Sequence, residues 1–406
     1  MYRREFLEKG AKGIIGAFAF PTILSFTGKH SSNEIIDKIE LYRYDVNIPR
    51  YFSFGTWLNR QHVYMKISSG EHYGWSEITG GINKPGLDLK EWSSFLQQYR
   101  GKTIKQILTQ LQGCHVKKSP LSWGKQEFIE IALLDLMGRI ENKPALEILN
   151  LKGRKPVPGL YCILDKDMEN VKKNAEQSVK QNLSAFMKIK MYGDLDLDKK
   201  VLKTVREVIG DDTFVLSDVN EGYKEWKDVD ELASILKELH SCGLNAVEDP
   251  AKMSREEWIE LQKKVGKLDL IPDVPMRPSW EALKKDLSGM GRIYNIHPAC
   301  MGSISIAAKL GLKVKSMGAK LMVGDASTTG PSCTAWQQIA IGTGAAWVEA
   351  IEKFDDSDGY LKCIKDKATY RDENGLFAYR PKSGFGLELD EERLRTVCSQ
   401  YLIIGI

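Results

Sequence analysis

The seven cysteines of the chain are scattered, with no Cys-x-x-Cys pair among them. That excludes a structural zinc site and a disulfide framework as the basis of the fold. Charge of one sign is also in short supply. The net charge is only +4, and no basic cluster is interleaved with aromatics, so nucleic acid is excluded as a partner. No apolar run approaches the ~20 residues that span a bilayer. What remains is an apolar content of 42% and a charged content of 28%, the balance of an ordinary globular protein. At 406 residues there is room for two domains or one large one.

The amino terminus differs from the rest. "RREFL", with Arg3 and Arg4, precedes a moderately apolar Gly/Ala run from Gly13 to Phe26. This pattern is similar to a twin-arginine export signal, which carries folded proteins. Residues 1–32 are therefore read as that signal, and the protein as periplasmic. The competing reading is an amphipathic first helix.

From about residue 33 the pattern alternates. "IDKIELYRYDVNI" and "HVYMKISSGEHYGWSEI" predict two strands of an antiparallel sheet, joined by a loop rich in Pro, Arg and aromatics. "LKEWSSFLQQYRG" and "WGKQEFIEIALLDLMGRIENK" predict helices, the second with an apolar stripe. Residues 33–150 thus form an α+β unit.

After residue 155 short apolar runs alternate with amphipathic stretches. "GLYCILD", "AFMKIKMY", "TFVLSDVN", "NAVEDP", "LDLIPDVP", "RIYNIHP", "AKLMVGDAS" and "AWVEAIEKF" start 23 to 32 residues apart. Eight βα units at that period predict an α/β fold of the (β/α)₈ barrel type over 151–375. A doubly wound sheet would carry a Gly-rich phosphate turn after its first strand. "ILDKDMENV" has none.

Barrel enzymes keep their chemistry at the C-terminal ends of the strands. Those ends carry Lys188 and Lys190, then Asp218 and Asn220, Glu248 and Asp249, Asp273, His297, Asp325 and Glu349. Asp218, Glu248 and Asp273 lie on three consecutive strands. Three anions brought together need a cation, and all-oxygen ligation favours Mg²⁺. The alternative is that each acid only caps the following helix.

Lys188 and Lys190 interrupt the strand "FMKIKMY" on one face, because side chains two apart point the same way. A lysine beside another cation and a metal has a depressed pKa and can serve as a base. The alternative is a structural ion cluster with the same acids. His297, across the barrel, is a candidate second acid/base, with Asp325 to orient it. Glu349 is a candidate to share a proton with an anionic oxygen.

These features together resemble the enolase superfamily, in its mandelate racemase and muconate lactonizing enzyme branch. The resemblance runs from about residue 35 to the end. It is carried by "EIALLDLMGRIENKPALEIL", "KIK", "LSDVN", "VEDP", "IPDVP" and "SGFGLELDEERL". It implies an α+β capping domain over a (β/α)₇β-barrel, with segment 376–406 returning to the cap. It also implies Mg²⁺-assisted removal of a proton α to a carboxylate, through an enediolate. Lys190 matches the base, Lys188 the residue that helps hold the substrate carboxylate, and Asp218, Glu248 and Asp273 the metal ligands. The loop with Arg50, Tyr51 and Trp57 would close over the substrate, near Asn220.

The chain departs from the pattern at three places. Asp273 is followed by Val274 and Pro275 instead of Glu. "NIHPA" replaces a lysine pattern on the sixth strand. His297 and Asp325 reverse the racemase order. The expected function is a metal-dependent lyase or epimerase acting on a small carboxylate. Dehydration of an acid sugar is favoured, because His297 supplies an acid for a leaving hydroxyl. Racemisation or epimerisation is the alternative, and an exported binding protein without catalysis is the alternative of another class. Further copies of the chain, in a homo-oligomer, are the expected protein partners.

Overall fold

The computed structural model describes residues 31–115, 119–349, 360–367 and 369–405. The export-signal expectation falls on residues outside this set, apart from Ser31 and Ser32.

The amino-terminal unit is built on β1 (Lys38–Val46), the hairpin β2 (Arg50–Phe52) and β3 (Gly55–Trp57), β4 (Arg60–Ser69) and β5 (His72–Ile82). The last strand of the chain, Gln400–Gly405, pairs antiparallel with β1 and completes a four-stranded sheet. Alternation in β1 separates two cores rather than core from solvent. Ile39 and Leu41 face the main core, with Val63, Met65 and Ile67 of β4. Tyr42 and Tyr44 face a second core that Leu387, Leu389 and Leu394 supply from the carboxyl-terminal segment.

Two helices follow, α1 (Ile104–Gly113) and α2 (Trp123–Ile140). Sequence periodicity predicts one apolar stripe on α2. The structure buries the helix nearly all round, because its polar side chains are consumed by backbone. Glu127 accepts the N–H groups of Ala299 (2.7 Å), Met301 (2.6 Å) and Gly302 (2.7 Å). Glu130 accepts the Ile304 N–H at 2.8 Å, and Asp135 those of Trp75 (2.9 Å) and Phe385 (2.7 Å). At Gly74 α2 and β5 approach so closely that a Cβ would lie 2.1 Å from the Ala132 carbonyl oxygen.

The barrel strands are β6 (Val157–Ile163), β7 (Phe186–Lys190), β8 (Phe214–Asp218), β9 (Ala246–Glu248), β10 (Asp269–Ile271), β11 (Ile293–Ile296), β12 (Lys320–Val323) and β13 (Trp347–Glu349). All eight coincide with the runs read from the sequence. They pair in parallel in the order β10-β9-β8-β7-β6-β13-β12-β11. The Asn295 N–H donates to the Pro272 carbonyl at 3.1 Å and bridges the two ends of this ladder. Helices Met168–Lys180, Leu195–Ile209, Val229–Ser241, Arg255–Lys264, Ser279–Ala282, Ile304–Ser316 and Pro331–Thr343 cover the outside. Among the described residues no helix is long and apolar enough to cross a membrane.

The carboxylates of α2 tie the loop after β11 to the amino-terminal unit. Glu127→Ala leaves two buried N–H groups, of Met301 and Gly302, and the part-buried one of Ala299 without this acceptor, each buried loss worth ~1–3 kcal/mol. The expected loss is ~3 kcal/mol or more, read as a lower urea midpoint at unchanged slope. An unchanged midpoint would show that these N–H groups find other acceptors.

Candidate active site

Inside the barrel the strands present two layers. Leu160, Cys162, Leu216, Ala246, Ile271, Ile293, Met322 and Trp347 form an apolar floor. Two residues further along five of these strands, on the same side of the pleat, the floor gives way to polar and charged groups. Above Leu216 stands Asp218, above Ala246 Glu248, above Ile271 Asp273, and above Ile293 Asn295. Trp347 is followed in the same way by Glu349.

The acids of this layer are not helix caps. The flanking helices are capped by Asp167, Asp194, Asp228, Ser254 and Ser303. Asp273 precedes a short 3₁₀ turn and makes no side-chain cap bond.

Lys188 and Lys190 point into this layer and answer the anions. Lys188 Nζ donates to Glu248 Oε2 at 2.8 Å and to Glu349 Oε1, and lies 3.4 Å from Asp218 Oδ2. Lys190 Nζ donates to Asp218 Oδ2 and to Asn220 Oδ1, the latter at 2.8 Å. Burial works against the Lys188 ammonium, but Glu248, Glu349 and Asp218 outweigh it and hold its pKa well above the usual value. Carboxylates around Lys188 outnumber the one neighbouring ammonium. Burial likewise disfavours the Asp218 carboxylate, yet Lys190 and Lys188 hold it well below the usual range.

Asp218, Glu248 and Asp273 also do not share one point as they stand. Among the described residues no three Asp, Glu, His or Cys side chains form a ready metal cluster. The reason is that cationic and amide donors engage their oxygens. Arg277 donates Nε to Asp273 Oδ1 at 2.9 Å and Nη2 to Asp273 Oδ2. Asn295 Nδ2 donates to Glu248 Oε1 at 2.7 Å.

The donor set nevertheless fits a hard divalent ion. All three are buried carboxylates at the ends of adjacent strands, with Asp218 and Glu248 in register. Burial, then Asp218, push Glu248 well above the usual carboxylate range even with Lys188 in contact. Neighbouring acids thus disfavour the Glu248 carboxylate, an opposition that a bound cation would offset.

His297 sits at the end of β11, which is four strands from β7 in either direction around the barrel. It and Lys190 thus face each other across the full width of the mouth. Its Nδ1 lies 2.8 Å from the Pro298 carbonyl oxygen. Burial opposes the imidazolium, but Asp273 and the Cys300 thiol together outweigh it and raise the pKa to about 10. Among the acids, Asp273 contributes most to this rise. Asp325 accepts the Thr328 N–H at 3.2 Å and lies 3.9 Å from Arg50 Nη1. Cys300, one turn on, has its thiol lowered: burial raises it, and His297 and Arg277 together outweigh burial.

The segment expected as a cap loop is the β2–β3 hairpin, with Arg50 opposite Trp57. Arg50 reaches Ser327 Oγ at 3.0 Å. Tyr51 lies under Lys166, 5.4 Å from its Nζ. Trp57 packs on Phe52, with ring centroids 4.6 Å apart. Phe52 is the residue over the site: Lys190 Nζ lies 5.0 Å from its ring. Ser53 donates to the Asn220 carbonyl at 3.2 Å. Asn220 therefore links the hairpin to Lys190, accepting from both Ser53 and Lys190. Phe52→Ala should raise KM roughly tenfold, equivalent to about 1.4 kcal/mol, with Mg²⁺ affinity unchanged by calorimetry. Equal loss of both would show a folding defect.

Sequence reasoning missed Phe52, Arg277 and Asn295 as members of the site. It also missed the role of Asp249, whose carboxylate accepts the N–H groups of Asp273 (3.1 Å) and Val274 (3.0 Å). Strand alternation carried a signal for Asn295, two residues after Ile293. Arg277 follows a turn and carried none.

Residues 170–393 match the family model described as enolase C-terminal domain-like. An N-succinyl-L-Arg/Lys racemase of Bacillus cereus is 22% identical over 370 residues, 89% of this chain and 97% of that protein. An arabinonate dehydratase of Saccharolobus solfataricus is 24% identical over 58% of this chain and 62% of its own. Among solved structures, a dipeptide epimerase of Cytophaga hutchinsonii, complexed with Mg and D-Ala-L-Val, superimposes with a TM-score of 0.75 at 19% identity. It covers 91% of this chain and all of its own. With a charged layer on a barrel floor and a family match over more than half its length, the chain belongs to the enolase superfamily, in its mandelate racemase and muconate lactonizing enzyme branch.

Proposed function

We propose that the protein is an Mg²⁺-dependent racemase or epimerase that exchanges the proton α to a carboxylate. The observation that carries this reading is the placement of Lys190 and His297 on strands diametrically opposed around the barrel. Inversion at carbon needs one group to remove the proton and another to return it from the opposite face.

Asp218, Glu248 and Asp273 would hold the cation. When bound, it supplies Lewis-acid stabilisation of the charge that builds on the substrate carboxylate as its α-proton leaves. The chain's own groups do the rest. Lys190 Nζ takes the proton, and Asn220 Oδ1 holds that ammonium in position at 2.8 Å. His297, in its imidazolium form, delivers a proton to the other face. Lys188 stays within its three carboxylates and balances charge below the reacting carbon. The hairpin, through Phe52 and Ser53, covers Lys190 and excludes water.

Dehydration of an acid sugar is the second reading. It uses the same imidazolium as acid for a leaving hydroxyl, and the similarity to the arabinonate dehydratase favours it over part of the chain. The racemase similarity extends over more of the chain, and it decides the order. Incubation with Mg²⁺ in D₂O and separate panels of N-acyl amino acids, dipeptides and acid sugars tests both. Deuterium gain with inversion in the first two panels supports the proposal. Loss of water from the third, without exchange in the others, would replace it with dehydration.

A further inference from the structure

We propose that Arg277 competes with the divalent cation for Asp273 and thereby sets the metal affinity of the site. The inference rests on the Mg²⁺ reading above. Both oxygens of Asp273 are engaged by one guanidinium, through Nε at 2.9 Å and through Nη2. A bidentate charge-assisted pair of this kind is among the strongest contacts a carboxylate makes. A hard cation needs at least one of those oxygens at about 2.1 Å. It then stands beside a guanidinium in a barrel interior, where like charges repel strongly.

The backbone around Asp273 does not give way. Its N–H is bonded to Asp249 Oδ1 at 3.1 Å, and its carbonyl oxygen accepts the Met276 N–H at 2.9 Å. Arg277 is the partner that can move. Its side chain is 21% exposed, against 2% for Asp273, so the guanidinium has a route toward solvent that the carboxylate lacks. The 3₁₀ turn Val274–Met276 places it one turn beyond Asp273, outside the ring of strand ends. Metal entry therefore includes the release of Arg277, and the affinity is reduced by the strength of the pair that must break.

The test is an Mg²⁺ titration by calorimetry on chelator-treated full-length protein, for the natural chain, Arg277→Gln and Arg277→Lys. Melting temperatures without metal verify folding. Arg277→Gln removes the competing pair and should bind Mg²⁺ about tenfold tighter, or more. Arg277→Lys keeps the charge but loses the bidentate fork, and should bind several-fold tighter. If the natural chain binds Mg²⁺ and neither variant binds tighter, Arg277 is only a structural partner. If Gln tightens binding and Lys does not, plain charge repulsion explains the effect and displacement is refuted. Should Arg277→Gln fail to fold, Arg277→Lys alone decides between tighter binding and none. If none of the three binds Mg²⁺, the metal reading itself fails, and this proposal with it.

Discussion

Lys190→Ala should lose exchange of the substrate α-proton with solvent deuterium altogether, a drop of about 10³-fold or more. The reason is positional. Lys190 is the inward-facing cation under the hairpin, with Phe52 over its ammonium and Asn220 at its side. Lys188 lies deeper, held by Glu248, Glu349 and Asp218, and cannot take over without abandoning all three. His297→Asn should behave differently. It should keep exchange of the proton that Lys190 removes, while losing net inversion, because the proton can return to the face it left. The two variants, compared by mass gain and by optical rotation, separate the two faces. Loss of exchange in His297→Asn together with its retention in Lys190→Ala would reverse the roles. If neither variant changes turnover, the chemistry lies elsewhere and the lysines serve only the ion cluster.

Glu248→Gln should weaken Mg²⁺ binding by about 10–100-fold and abolish activity, while the fold persists. Glu248 is fully buried at the centre of the three acids, and an amide cannot supply its charge. Persistence of the fold follows from the same cluster. Removing this anion relieves its repulsion with Asp218 and Asp273. A glutamine oxygen still accepts from Lys188 or Asn295. The readout is thermal: in the natural chain Mg²⁺ at 100 times its Kd should stabilise by about 2.7 kcal/mol, and in the variant the same concentration should stabilise by only about 0.4–1.4 kcal/mol. An undiminished Mg²⁺-dependent shift would remove Glu248 from the ligand set.

The eight barrel strands were legible because parallel strands buried on both faces read as short apolar runs, and their period is set by the βα unit. The charged strand ends were legible for the same reason, since charge inside such a run has no ordinary place in a core. "FMKIKMY" showed by alternation alone that Lys188 and Lys190 share one face. The hairpin at Arg50–Trp57 was not, because its strands are three residues each and too short for a period. Nor was the double burial of β1, where tyrosines that alternate with aliphatics meet a segment more than 300 residues away.

By itself the sequence determined which groups face the barrel mouth, for side-chain direction along a strand depends only on parity. It could not say who pairs with whom. Lys188 answers to three acids from β8, β9 and β13, and Asp273 to an arginine beyond a turn. His297 is held charged chiefly by Asp273. Those partnerships depend on distances between elements, set by how the ring of strands closes and by how Glu127, Glu130 and Asp135 fasten α2 to the loops around it. Electrostatic interaction falls with distance through space and not along the chain. The charge state of each group was therefore decided only when tertiary structure brought its neighbours in.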